Sequence, residues 1–390
     1  MPLAEAEYLA EFLSDTPPLL SLPTPYPTPQ PVAVDAMRSL AVAACLTLGA
    51  AKRVLPTPVI AGYTNWCECD AGIITAVENG VNLIFWFSIN LLPAAAPSGC
   101  LNLTCISSIA AELSARNLST VHMVTVGGWD APHPSGASGD EFYALWKDWN
   151  ENVVAAVLPG GFDGIDWDLE GNDNATSPFN TLNVTTLDIV GQFSLAAKAD
   201  GYLATLVPPE SYFDVTTPLF DSSLTHAYPE WMPDFLYHGH NPYAYIWSRY
   251  NAAFDAVTIQ LYESWAHADY NITFGQRPAD YLVAWIGLLS QGWVVDFASV
   301  PSANWPSQRV SVDPSRLLIG LANGWAGGFH PKSILIMPEE VGVAYAAQPF
   351  RGAAFWCISS EGTVPPQQSE KLFLAAGLNA FLKTRGIGEQ

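Results

Sequence analysis

Three carboxylates, Asp166, Asp168 and Glu170, have the residue types and the spacing to do chemistry together. They lie at i, i+2 and i+4 in Gly161-Phe-Asp-Gly-Ile-Asp-Trp-Asp-Leu-Glu170, with Ile165, Trp167 and Leu169 alternating between them. Successive side chains of an extended strand point to opposite faces, so this spacing puts all three acids on one face and the apolar residues on the other. Three carboxylates inside an apolar strand cost several kcal/mol as structure alone. Crowded acids cannot all ionise. At least one keeps its proton at neutral pH, which is the state a general acid needs.

Metal chemistry fits these residues less well. Asp166-x-Asp168-x-Glu170-Gly171 imitates the start of a calcium-binding loop, but Ser177 stands at the twelfth position and a strand precedes it. No His or further acid lies at ligand spacing for magnesium or manganese, and no metal or cofactor is expected. His238-Gly239-His240 falls in a Tyr- and Pro-rich segment and reads as an ordinary loop.

The elements that must position the acids follow from the alternation of strand-like and helix-like segments after residue 54. Strand-like runs occur at Val59–Tyr63, Val81–Ile89, Thr120–Val126, Gly161–Glu170, Tyr202–Val207, Ala256–Tyr262, Leu317–Leu321 and Gly352–Ile358. Amphipathic helical patterns lie between them, at Cys105–Arg116, Gly139–Val157, Thr185–Lys198, Pro278–Gln291 and Pro338–Ala347, and Gln368–Leu382 closes the chain. Eight such units predict an α/β protein, a (β/α)8 TIM barrel formed by one domain over residues 55–387. An open doubly wound sheet is the alternative, but no G-x-G-x-x-G follows the first strand. In a barrel the acidic face is the interior, and Glu170 ends its strand on the side where barrel active sites are built.

At this point the residues resemble a family. Asp163-Gly-Ile-Asp166-Trp-Asp168-Leu-Glu170 is similar to the D-x-x-D-x-D-x-E signature of family 18 glycoside hydrolases, the chitinases and their relatives. Val59-Ile-Ala-Gly-Tyr63-Thr-Asn-Trp66 resembles the first strand of that family. Thr125-Val-Gly127-Gly128-Trp129 resembles its S-x-G-G motif, with Thr in place of Ser. Gln260-Leu-Tyr262-Glu263 is similar to the sixth-strand Q-x-Y-[DN], with Glu263 in place of Asp or Asn, and Gly352-Ala-Ala-Phe-Trp356 looks like the eighth strand. The motifs fall in order over roughly residues 55–385.

The resemblance implies retaining hydrolysis in which the substrate's own N-acetyl oxygen is the nucleophile, an exception to the two-carboxylate scheme. Glu170 would be the acid, Asp168 would orient the acetamide, Asp166 would share a proton with Asp168, and Tyr262 would hold the acetamide oxygen. Trp356 would stack under the reacting sugar, with Trp129, Gly127, Gly128, Gln260 and Tyr63 as further substrate-binding positions. Asp163, of opposite parity to Asp166, reads as a structural acceptor near the barrel bottom. About 30 residues separate strands seven and eight, so the α+β insertion of some relatives is expected to be absent and the groove open, favouring endo-type cleavage. Chitin or an N-acetylglucosamine-containing oligosaccharide is the expected partner, bound by a monomer. Cleavage of N-glycan cores and a non-catalytic lectin on the same fold are the alternatives.

Composition and compartment agree with a sugar ligand. The 390 residues carry 37 Asp and Glu against 15 Lys and Arg, a net charge of −22 that opposes nucleic acid. Fourteen Trp, 15 Tyr and 18 Phe suit a neutral ligand with flat apolar faces. No apolar run reaches the length of a membrane span. Ser39–Ala51, preceded by Met37-Arg38 and ending in Gly49-Ala50-Ala51, has the layout of a secretory signal peptide over residues 37–51. Residues 1–36, with eight Pro, five acids and no Lys or Arg, read as a disordered extension or a mis-assigned start. Sequons at Asn102, Asn117, Asn174, Asn183 and Asn271 fit a secreted glycoprotein. Cys67 and Cys69 follow strand one, and Cys100 and Cys105 lie after its neighbour, strand two. Cross-links between the two loops are expected, with the pairing left open. Cys357 reads as a buried free thiol.

Overall fold

A computed structural model describes residues 53–172, 174, 176–224, 239–262, 266–323, 336–365 and 369–383. The extension expected over residues 1–36 and the leader expected over 37–51, together with Glu263 and His238, lie outside the described residues.

Eight parallel strands form the centre: β1 Val59–Tyr63, β2 Leu83–Asn90, β3 Val121–Gly128, β4 Gly164–Leu169, β5 Leu203–Leu206, β6 Ala256–Gln260, β7 Leu317–Ala322 and β8 Gly352–Trp356. Each pairs with the next, and β8 returns to β1 with Val59 opposite Gly352, so the sheet closes on itself. Around it run α1 Gly72–Glu78, α2 Leu103–Ala115, α3 Gly139–Trp149, α4 Val184–Ala199, α5 Pro242–Tyr250, α6 His267–Thr273, α7 Pro278–Gln291, α8 Pro338–Ala347 and α9 Leu374–Leu378. This is the expected (β/α)8 barrel. Between β7 and β8 the described residues hold one helix, α8, and no strand.

Local chemistry starts several helices where the sequence places them. Ser138 Oγ accepts from Glu141 N while Glu141 Oε2 accepts from Ser138 N at 2.8 Å, a reciprocal cap that begins α3. Asn102 and Asn183 cap α2 and α4 through their side-chain oxygens. Alternation along the strands divides the apolar residues between two cores. Ile165, Trp167 and Leu169 point outward and join the large cluster between strands and helices. Tyr63, Phe85, Phe87, Met123 and Leu203 fill a smaller cluster inside the barrel.

Some elements differ from the sequence reading. β6 ends at Gln260 and β4 at Leu169, leaving Tyr262 and Glu170 just past their strands. Helices α1, α5 and α6 were not expected. α1 and α6 have seven residues each, too few to show a period, and α5 lies in a Tyr/Pro-rich segment where Pro242 starts the helix rather than excluding it. The closing helix is α9 followed by a π turn at Asn379–Lys383, shorter than Gln368–Leu382.

Two disulfides, Cys67–Cys100 and Cys69–Cys105, tie the loop after β1 to the connection after β2, and Cys357 is buried and free. No helix among the described residues is long and apolar enough to cross a membrane.

Candidate active site

Strand register builds the site's lower layer. Thr125 of β3, Asp166 of β4 and Thr205 of β5 are opposite one another across three strands. Asp166, with no exposed surface, receives three hydroxyls: Thr205 Oγ1 donates to Oδ1 at 2.6 Å, and Tyr63 Oη and Thr125 Oγ1 donate to Oδ2 at 3.0 and 3.3 Å. Burial pushes the Asp166 carboxyl up to about 7, against the pull of these donors. Burial and the Asp166 charge raise the Tyr63 phenol well above its usual range, so it remains a donor. Tyr63 is 4% exposed and its ring stacks on Phe85 at 4.5 Å. It therefore acts below the site surface, through Asp166.

One layer higher, Asp168 and Glu170 share the amide of Gln260. Gln260 Nε2 donates to Asp168 Oδ1 at 3.1 Å, to Glu170 Oε1 at 3.0 Å and to Val207 O at 2.8 Å, two hydrogens spread over three acceptors. Burial, then the Glu170 charge, raises Asp168 well above the carboxylate range, and burial also raises Glu170. Asp168 is hydrogen-bonded to Glu170 and feels Asp166 only through its charge. Gln260 thus bridges Asp168 and Glu170, while Asp166 keeps its own hydroxyl donors one layer below. Three acids in this setting carry fewer than three charges at neutral pH.

The strand that bears these acids is held from outside. Leu169 N donates to Tyr243 Oη of α5 at 2.6 Å, and Trp167 Nε1 donates to Ser194 Oγ of α4 at 2.9 Å. His133 Nε2 stands 2.8 Å from the carbonyl oxygen of Glu170, and burial lowers the pKa of the ring. Gly127 and Gly128 carry φ of +104° and +106°. They let β3 run against β4 and under the Phe87 ring where a Cβ would collide.

Aromatic rings form the wall beside the acids. Trp356, half-buried at the end of β8, meets Phe87 edge-on at 4.8 Å and lies 6.2 Å from Tyr63. Trp66, 46% exposed, meets Trp356 edge-on at 6.4 Å and Phe87 at 4.8 Å. It follows β1 and immediately precedes the disulfide-bonded Cys67. Trp129 and Tyr262 are half-buried just beyond β3 and β6, and the Tyr262 phenol contributes to the field on Tyr63. Asp163 lies at the opposite end of β4, where Arg53 Nε and His122 N each donate to it at 2.9 Å.

Sequence reasoning passed over Thr205, Tyr243, His133 and the site contacts of Trp66 and Phe87. Only inter-strand register reveals Thr205. A second buried acid was also missed: Glu210, past β5, receives Tyr281 Oη at 2.5 Å and Ala268 N at 3.1 Å, and burial pushes it up to about 7. Among the described residues no group of three or more His, Cys, Asp or Glu side chains is arranged to hold a metal ion. His240, the described member of the His pair, faces the carbonyl oxygen of Ser223.

No protein-family model and no curated protein matches the sequence. Solved structures do match the fold. The C-terminal domain of ChiA from Legionella pneumophila superposes with a TM-score of 0.54 at 16% identity, covering 85% of this chain and 100% of that one. The catalytic domain of a hyperthermophilic chitinase from Pyrococcus furiosus gives 0.52 at 11% identity, covering 86% and 98%. A putative chitinase A from Streptomyces coelicolor gives 0.50 at 15% identity, covering 84% and 98%. The chain therefore has the (β/α)8 fold of solved chitinase domains over nearly their whole length.

Proposed function

We propose that the chain is a secreted family 18 glycoside hydrolase, an endo-type chitinase that cleaves β-1,4-linked N-acetylglucosamine polymers with retention. One observation carries the reading. Asp166 and Asp168 on β4 and Glu170 just past its end stand in line in a barrel with a chitinase-domain fold, and two of the three share a single amide donor. The two disulfides support an oxidising, extracellular setting.

In this reading Glu170, its pKa raised by burial, protonates the glycosidic oxygen. The N-acetyl oxygen of the same sugar attacks the anomeric carbon and forms an oxazolinium ion. Because that nucleophile is tethered to the reacting sugar, much of the entropic barrier is removed in advance. Asp168 leaves its hydrogen bond to Glu170, accepts the acetamide N–H and stabilises the developing positive charge. Asp166, beneath it, accommodates this charge by titrating near neutrality. Tyr262 donates to the acetamide oxygen and Trp356 stacks under the ring. Water then opens the oxazolinium ion, with Glu170 now acting as base.

The test is hydrolysis of colloidal chitin, chito-oligosaccharides and a high-mannose glycopeptide, with the product anomer read by NMR at early times. Initial release of the β-anomer from chito-oligosaccharides, in products of mixed length, is expected. An α-anomer first would overturn the mechanism, and a uniform disaccharide ladder from one chain end would overturn the endo mode. Cleavage of the glycopeptide alone would move the substrate to N-glycan cores, and binding without cleavage would make the protein a lectin.

A further inference from the structure

The end of β8 is held by side chains that the mechanism above does not use. Asn323 immediately follows β7, where the backbone register with β8 ends at Ala322 opposite Trp356. Its backbone N–H donates to Trp356 O at 2.9 Å, and its Oδ1 accepts from Cys357 N at 2.7 Å. One residue therefore grips the Trp356 carbonyl and the next amide together, with a side-chain oxygen extending the ladder beyond the strand. Asn323 Nδ2 in turn donates to Glu361 Oε1 at 2.9 Å. Glu361 accepts Leu374 N at 2.9 Å and Ala375 N at 3.0 Å, which anchors it to the first turn of α9.

We propose that Asn323 and Glu361 are positioning residues for Trp356, a side-chain relay from α9 to the backbone of the aromatic floor. The chemistry requires these residue types. The planar amide of Asn offers an acceptor toward Cys357 and a donor toward Glu361 at once, and the carboxylate of Glu361 can accept all three N–H groups that converge on it. Asn323 is 1% exposed, so removing its side chain leaves the buried Cys357 N–H without its acceptor and takes one donor from Glu361. The Trp356 indole meets Phe87, Tyr63 and Trp66 at tilted or edge-on angles, at 4.8, 6.2 and 6.4 Å, and none of them stacks flat on it. The orientation of its peptide thus sets the plane offered to a ligand. The effect on catalysis rests on the reading of Trp356 as a sugar-stacking floor.

The test is a double-mutant cycle in the full chain. Asn323→Ala is expected to raise KM for a chito-oligosaccharide about tenfold with kcat changed less than about twofold. In a Trp356→Ala background the same substitution is expected to leave KM unchanged. Additive effects would overturn the proposal, because Asn323 would then act other than through Trp356. Glu361→Gln, which keeps its size but offers a single acceptor oxygen, runs the same cycle should Asn323→Ala not fold. A second readout separates this proposal from the proposed activity. The near-UV circular dichroism lost in Trp356→Phe is expected to be lost in Asn323→Ala as well, with the far-UV spectrum unchanged. Its full retention would overturn the positioning role even in a protein that cleaves no sugar.

Discussion

Gly127 and Asp168 lie opposite each other across β3 and β4, and a Cβ on Gly127 would stand 2.3 Å from the Asp168 carbonyl oxygen. The glycine is therefore part of how Asp168 is placed, since β3 can approach the acidic strand this closely only without a side chain. Gly127 also holds φ +104°, a conformation L side chains rarely adopt. Gly127→Ala is expected to lower kcat/KM on chito-oligosaccharides by roughly a hundredfold, because the acids shift by a sizeable part of an ångström. Steady-state kinetics on the folded variant check this, and wild-type activity would contradict it.

Removing a hydroxyl from Asp166 should raise its pKa further. The Thr205, Tyr63 and Thr125 hydroxyls all stabilise the charged form, Thr205 the most, and burial is the force they oppose. Thr205→Val is expected to move the Asp166 titration above its value of about 7. Infrared difference titration of the buried carboxyl, with Asp166→Asn as the blank, reads the shift. A downward shift would contradict the hydrogen-bond assignment.

Stability should fall as the pH rises through the acid side of neutrality. Glu210 titrates at about 7 when folded, against about 4.3 in an unfolded chain. Below about pH 4 the group is protonated in both states and carries no penalty. Between that pH and about 7 the unfolded chain releases the proton first, so stability is lost progressively, and above the folded pKa the loss is complete. Asp166 follows the same sign. Glu210→Gln removes one titrating group, so its melting temperature should decline less steeply than wild type over this window. Parallel declines would contradict the assignment.

The disulfides should matter to ligand binding as well as to stability. Cys67–Cys100 and Cys69–Cys105 close spans of 33 and 36 residues beside the half-exposed Trp66. Losing either is expected to cost about 2–4 kcal/mol of stability. Cys67→Ala/Cys100→Ala should in addition raise KM severalfold with little change in kcat, since Trp66 borders Trp356 on the aromatic wall. Unchanged KM would contradict a role for that loop in binding.

Much of this site was legible in the chain because period-two alternation alone put Asp166, Asp168 and Glu170 on one face. The same alternation set Trp167 and Leu169 against the helices. The eight strands were legible for the same reason. Thr205 was not, because its bond to Asp166 depends on the register of β4 against β5, which alternation within one strand does not encode. The Gln260 amide shared by Asp168 and Glu170 was not legible either, because Gln260 arrives from β6, a strand remote in sequence. α5 was hidden by Pro242 and its tyrosines, residues that resemble a loop until tertiary packing buries Tyr243 and Tyr245. The cysteine pairing waited on loop geometry.

The central claim is that Glu170 delivers the proton to the leaving group, and Glu170→Gln tests it most directly. The substitution keeps the size of the side chain and removes its acidity. Turnover of chito-oligosaccharides is expected to fall about a thousandfold, while calorimetric affinity for the same oligosaccharide stays within a few-fold of wild type. Wild-type turnover in Glu170→Gln would contradict the account.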